Sequence, residues 1–311
     1  MLLNIVIPCY NEEAVLHETN RQLTSLVTEW IEKGVLDGCL LVYVDDGSND
    51  RTWEIIEELG QNFPGVVRGL KLAHNVGHQN ALWGGLMWSV GKCDAVVTVD
   101  ADLQQDIRKI EDMVQAYREG YEIVYGVRND RATDSIFKKK TALAFYALMR
   151  KMGVDVIPNH ADYRLLGSKA LSALAQYPER NLFLRGMVRS LGFRGTTVYF
   201  DCGDRIAGES KYTLGKMFNF AMDGITSFSV QPLRVITLLG VLVIILSLFA
   251  CLYAVIVFLC GKTIQGWTSI LLSIWFLGGA QLLCIGVLGE YIGKNYVEVK
   301  RRPRYIIEKE V

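Results

Sequence analysis

The chain has 311 residues, half of them hydrophobic, with 33 Lys and Arg balancing 33 Asp and Glu. That length allows one large or two medium domains with a real core; the net charge is zero, and no nucleic-acid partner is expected. Mean hydropathy is +0.21, high for a purely soluble enzyme.

The first 130 residues alternate short apolar runs with amphipathic stretches. Strands are predicted at Asn4–Ile7, Leu40–Val44, Val66–Leu72, Ala95–Val99 and Glu122–Tyr125, and helices near Glu12–Glu32, Arg51–Asn62, Gln79–Val90 and Ile107–Glu119. This alternation predicts an α/β fold with a mostly parallel sheet covered on both faces. Ligands of such sheets gather at the carboxyl ends of strands, where Asp45-Asp46 and Asp100-Ala101-Asp102 fall. Beyond Arg128 the pattern changes. Lys138–Lys151 has a basic start and an apolar face that suits either a membrane surface or packing on the sheet. Thr213–Phe228 carries apolar residues at helical spacing and reads as an interfacial helix.

Val235–Cys260 and Ile264–Gly289 are each 26 residues without a charge, longer than the roughly 20 needed to cross a bilayer as a helix. Only Gly261-Lys262-Thr263 separates them, which predicts a helical hairpin. From Gln231 onward there are 8 Lys and Arg against 4 Asp and Glu, clustered just after the second run. The positive-inside rule then puts both termini in the cytosol, and the basic end is expected to meet anionic lipids. The expected organisation is a cytosolic α/β domain (1–212), an interfacial helix (213–230), two spans within 231–293 (about 235–260 and 264–289) and a basic cytosolic tail (294–311). No signal peptide is expected, since the apolar start runs straight into Asn11-Glu12-Glu13. Seven scattered cysteines with no CxxC pair argue for reduced thiols.

Asp100 and Asp102, one residue apart at a strand end, present hard oxygens suited to Mg2+ or Mn2+, which in turn holds a diphosphate. An acidic pair of this kind also occurs as a helix cap or a solvated face. Asp45-Asp46-Gly47-Ser48 follows a buried-looking strand. Its carboxylates can bind a base or ribose, Gly47 permits a tight turn, and Ser48, Asn49 or Asp50 can cap the next helix. His74 and His78 stand four residues apart, but Asn75 and Gly77 interrupt any helix between them. The Asn75–Ala81 segment reads better as pocket lining than as a metal site.

Three motifs in this order, Ile5-Val6-Ile7-Pro8-Cys9-Tyr10-Asn11-Glu12-Glu13, Val44-Asp45-Asp46-Gly47-Ser48-Asn49-Asp50 and Asp100-Ala101-Asp102-Leu103-Gln104, resemble glycosyltransferase family 2 and its GT-A-type nucleotide-binding domain. Tyr125-Gly126-Val127-Arg128, Asp162-Tyr163-Arg164-Leu165, Gly208-Glu209-Ser210-Lys211-Tyr212 and the apolar hairpin extend the likeness to its polyprenyl-phosphate branch, which includes bactoprenol glucosyltransferases and dolichol-phosphate mannose synthases. Ile107 departs from the pattern, where many relatives have proline. The resemblance implies that Pro8, Tyr10, Glu12, Asp45, Asp46 and Asp100 bind the nucleotide-sugar. Asp100, Asp102 and Gln104 would hold the metal and diphosphate, while Arg128, Arg205 and Lys211 would meet the acceptor phosphate or the diphosphate. Arg205 read alone is as well explained as a solvated charge.

The implied reaction is inverting transfer of a sugar, glucose from UDP-glucose first and GDP-mannose or other UDP-sugars after it, to polyprenyl (undecaprenyl) phosphate at the plasma (inner) membrane. Asp102 and Arg128 are its expected catalytic residues, with Asp162. A phosphate monoester is already largely a dianion at neutral pH, so little general-base help is needed. Asp162 is then either a base, a group that orients the acceptor, or a buried partner of Arg164. A homo-oligomer is left open. Three rivals are weighed against this reaction, one of them a family member with a different, soluble sugar acceptor, whose activity would survive without polyprenyl phosphate. A processive synthase would need a Gln-x-x-Arg-Trp motif, and no Trp here follows an Arg. A non-catalytic scaffold has no need of carboxylates at all four positions.

Overall fold

The computed structural model describes residues 1–129, 157, 160–201, 226, 229–260 and 266–311. The expected surface helix at 138–151, the interfacial helix over most of 213–230, and both Arg205 and Lys211 lie outside the described residues.

The chain enters through β1 (Leu2–Cys9), whose interior is buried on both sides, as expected of a central parallel strand. It continues through α1 (Leu16–Glu32), β2 (Gly38–Asp45), α2 (Thr52–Asn62), β3 (Val67–Leu72), α3 (His78–Ser89), β4 (Ala95–Thr98), α4 (Lys109–Arg118) and β5 (Ile123–Arg128). These match the predicted elements, with α1 and α4 starting later because loops bearing site residues precede them. Next come β6 (His160–Gly167), α5 (Ser168–Leu174), α6 (Leu184–Ser190) and β7 (Gly195–Phe200), none read as elements from sequence. Two long helices, α7 (Gln231–Leu259) and α8 (Trp267–Lys300), and a last strand, β8 (Ile307–Glu310), complete the described chain.

The eight strands form one sheet in the order β7-β5-β6-β4-β1-β2-β3-β8. β1 pairs in parallel with β2 and β4, and β2 with β3. β6 is inserted antiparallel between β4 and β5, with Thr98 opposite Arg164. Apolar side chains fill both faces. Leu3, Ile5, Leu41 and Tyr43 pack with Leu23 and Trp30 on one side, and Val6, Val44 and Leu70 pack with Leu82 and Trp83 on the other.

At 1.5 Å per residue, the 34 residues of α8 extend ~51 Å, well beyond a hydrocarbon core of about 30 Å. Phe276–Lys300 is long and apolar enough to cross a membrane and is not buried within the protein. Its sides expose Phe276 (73%) and Leu282 (72%). The helix continues past Gly289, where the expected second apolar run ends, to Lys300. α7 is a single helix of 29 residues, and some of its side chains lie outside the described residues.

The segment expected to be a basic tail is docked on the sheet domain. The Glu298 carboxylate, in the last turns of α8, accepts the backbone N–H groups of Arg180 (2.7 Å) and Asn181 (2.8 Å). Arg301 turns the chain through a left-handed conformation (φ 47°). The Arg304 guanidinium then stacks over Trp83 at 4.1 Å and donates to the Tyr177 and Glu179 carbonyls. β8 adds antiparallel to β3, and Gly69 and Val311 exchange backbone hydrogen bonds of 2.9 and 3.0 Å.

Candidate active site

The site is built where β1, β2 and β4 end, and the reversed β6 begins there. Its first layer is the pair of turns after β1 and β2. Asn11 N–H donates to Ser48 Oγ (3.0 Å), Glu12 N–H to Thr52 Oγ1 (2.8 Å), and Asn49 N–H to Asn11 Oδ1 (2.9 Å). The Asp50 carboxylate takes the Thr52 N–H (3.0 Å) and the Glu13 N–H (3.2 Å), so it serves the start of α2. Pro8 is buried at the end of β1, Glu12 is half-buried, and Tyr10 stands exposed between them.

Asp45 and Asp46 are both buried. Asp45 Oδ1 accepts the Ser48 N–H (3.1 Å), and its Oδ2 is buried without a partner. Asp46 spends both oxygens on the backbone of the next loop, accepting Val76 N–H (2.7 Å) and Gly77 N–H (3.0 Å). Burial pushes both carboxyls above their usual range. Asp46 therefore shapes the 74–78 loop. Gly47 is required on two counts: its φ is +65°, and an added Cβ would lie 2.6 Å from Asn75 N. Gly47→Ala is expected to cost roughly 2–4 kcal/mol, measured as a fall in thermal midpoint.

Asp100 and Asp102 lie beyond β4 in a turn held from three sides. Thr19 Oγ1, on α1, donates to the Ala101 carbonyl (2.7 Å). Gln105, only 1% exposed, grips Asp100 twice: its amide nitrogen donates to the carboxylate and its amide oxygen accepts the Asp100 N–H (2.8 Å). Gln104 approaches through its backbone, whose N–H donates to Asp102 Oδ1 (3.2 Å). Leu103 is forced to φ +48°, a strained conformation for a leucine that is typical of functional turns.

Because β6 is antiparallel to β4 and Thr98 faces Arg164, Asp162 emerges beside Asp100. The His78 ring lies between them, with Nε2 3.8 Å from Asp100 Oδ1 and 3.9 Å from Asp162 Oδ2. Asp162 also receives two guanidiniums. Arg164 donates to Oδ1, and Arg185 on α6 donates to both oxygens at 3.3 and 3.1 Å. Burial alone would raise the Asp162 carboxyl, but Arg185, Arg164 and His78 overcome it and hold the group far below the usual carboxylate range. Beneath them, burial and the same arginines keep His160 neutral, edge-on to Tyr125 at 5.1 Å. Arg128, at the end of β5, points its buried Nε into this end of the sheet with no partner.

Among the described residues, no three His, Cys, Asp or Glu side chains are grouped to enclose a cation. Asp100 and Asp102 nonetheless suit one whose remaining ligands are diphosphate oxygens and water, the way Mg2+ is commonly held. Burial raises the Asp100 carboxyl, and Asp162 and Asp102 add to that while His78 opposes it. A cation there relieves the crowding of negative charge. His78 lies in the Asn75–Ala81 segment that the sequence marks as pocket lining, whereas Arg185 and Gln105 are not singled out by it. The Gln104-Gln105 pair was the one available signal, ambiguous by a single residue.

The sequence model of glycosyl transferase family 2 matches residues 4–175. Over 310 residues the chain is 52% identical to an uncharacterized glycosyltransferase (YkoT) of Bacillus subtilis (strain 168), covering 99% of this chain and 91% of that protein. It is 39% identical over 314 residues to the SfII prophage-derived bactoprenol glucosyl transferase of Shigella flexneri, covering 99% of this chain and 98% of the other. A prophage bactoprenol glucosyl transferase homolog of Escherichia coli (strain K12) is 37% identical over 314 residues, with 99% of each chain covered.

Proposed function

The chain belongs to glycosyl transferase family 2, and from that membership we propose that it moves a sugar, glucose first, from a nucleotide-sugar to polyprenyl phosphate. The observation that carries this reading is one juxtaposition. The Asp100 carboxylate, the His78 ring and the Asp162–arginine cluster converge at one sheet end, in a chain whose α8 is apolar and long enough to reach through a bilayer. The near full-length likeness to bactoprenol glucosyl transferases supports the acceptor and, by name, the sugar.

In this reading Pro8, Tyr10, Glu12 and Asp45 line the nucleotide side, with Asp46 holding the loop that closes it. Asp100 and Asp102, with Gln104 at the turn, would hold Mg2+ or Mn2+, which when bound neutralises charge on the departing nucleoside diphosphate. The acceptor phosphate attacks the anomeric carbon in line and inverts it. Arg128, Arg205 and Lys211 meet phosphate oxygens in bidentate or point contacts. Asp162, paired with two guanidiniums, serves as an orienting anion, since a carboxyl held so low makes a poor base. We place the catalytic domain and both termini in the cytosol, with α7 and α8 as a membrane hairpin, supported by helix length and by the basic residues after α8.

The test is a panel of radiolabelled nucleotide-sugars offered to the detergent-solubilised full chain with undecaprenyl phosphate, with and without EDTA. Glucosyl transfer from UDP-glucose that stops with EDTA and resumes with Mg2+ or Mn2+ is expected. Turnover with no prenyl phosphate under any donor or divalent ion rejects the reading.

A further inference from the structure

Asp162 is paired with two guanidiniums, Arg164 and Arg185, a single side chain away from Asp100. The two arginines differ in access. Arg164 is 1% exposed and locked within the sheet, whereas the Arg185 side chain is 22% exposed. Of the pair, Arg185 is the one that can meet a ligand. Its fork onto Asp162 fixes the plane of the guanidinium.

The segment carrying Arg185 is pinned at both ends. Leu184 N–H donates to Gln79 Oε1 (3.1 Å), in the first turn of α3 beside His78. Asn181 donates its backbone N–H (2.8 Å) and its side-chain amide (2.9 Å) to Glu298, near the end of α8. Residues 181–185 therefore run from the end of the apolar helix to the carboxylates of the site. An acceptor delivered by a bilayer arrives from that direction.

We propose that Arg185 grips the phosphate monoester of the acceptor, with Asp162 aligning its guanidinium for a bidentate contact. The assignment rests on the reading of the chain as a polyprenyl-phosphate glycosyltransferase and adds a residue to its acceptor site. The same chemistry would fit a phosphate of the donor, so the experiment separates the two.

Arg185→Gln and Arg185→Lys are compared with wild type as full-length protein in detergent. Kinetics are measured against undecaprenyl phosphate at saturating UDP-glucose, UDP affinity by equilibrium binding, and integrity by thermal midpoint. A charge-assisted hydrogen bond of about 1.5–3 kcal/mol predicts that Arg185→Gln lowers acceptor kcat/KM roughly 10- to 100-fold, mainly through KM, with UDP affinity within about threefold of wild type. Arg185→Lys keeps the charge and loses the fork, and is expected to recover part of the acceptor KM. It also reports on the site if the glutamine variant does not fold. UDP affinity that falls while acceptor KM stays unchanged assigns the guanidinium to the donor and overturns the proposal. So does wild-type acceptor KM in both variants. If wild type binds UDP yet uses no prenyl phosphate, the functional reading fails and this assignment fails with it.

Discussion

Asp102→Ala is expected to lower kcat/KM by about 10³-fold or more while leaving a folded, membrane-bound protein. The two halves of that expectation have separate causes. Asp102 sits in a half-buried turn, and the hydrogen bond it takes from Gln104 N–H is 3.2 Å long. Losing such a bond costs on the order of 1 kcal/mol. The turn keeps its other supports, the Thr19 bond to Ala101 and the two-way pairing of Gln105 with Asp100. The activity loss is larger because, in the proposed reaction, the carboxylate would act where charge develops on the leaving diphosphate. Removing stabilisation of that kind costs several kcal/mol of barrier. Turnover, thermal midpoint and membrane fraction, measured on one preparation, check both halves. Full activity in the variant would remove the Asp100–Asp102 pair from the reaction.

Asp162→Ala is expected to do the opposite, destabilising the domain by about 3–5 kcal/mol, a fall in thermal midpoint on the order of 10 °C. Arg164 is 1% exposed and its Nε and Nη1 already lack partners. Without Asp162 its charge is left uncompensated beside Arg185 and beneath His78. The pH dependence has a definite sign. The native carboxyl is held far below its unfolded value near 3.9. The stability it contributes is therefore fully present above that value and is lost as pH falls below it. The gap in thermal midpoint between wild type and Asp162→Asn should be flat from about pH 5 to 8 and narrow below about pH 4. A gap that widens in acid contradicts the ion-pair assignment.

How far the sequence could be read depended on what each residue type does locally. β1 to β4 were legible because runs such as Leu41-Val42-Tyr43-Val44 are buried on both faces of a parallel sheet and show no competing pattern. The site carboxylates were legible for the same reason, as polar residues placed where such runs end. β6 was hidden because His160, Asp162 and Arg164 occupy one face of it, and that face looks onto a buried ionic cluster. The usual alternation of apolar and polar residues is thereby replaced by charge. β8 was hidden by composition. Ile307-Glu308-Lys309-Glu310 is exposed throughout, and its charges suit an outer strand while lowering its strand propensity. Arg185 carries no local signal, since its partner stands 23 positions earlier and only the reversed strand brings them together. The five described cysteines are unpaired.

The docking of β8 on β3 imposes an order on biosynthesis. Until residues 307–310 have left the ribosome, the outer edge of β3 is an open row of backbone donors and acceptors, and by then α7 and α8 have both been translated. Both long apolar helices are thus synthesised before the sheet is finished. A chain that stalls in between carries an unprotected strand edge, the kind of surface on which nascent proteins aggregate.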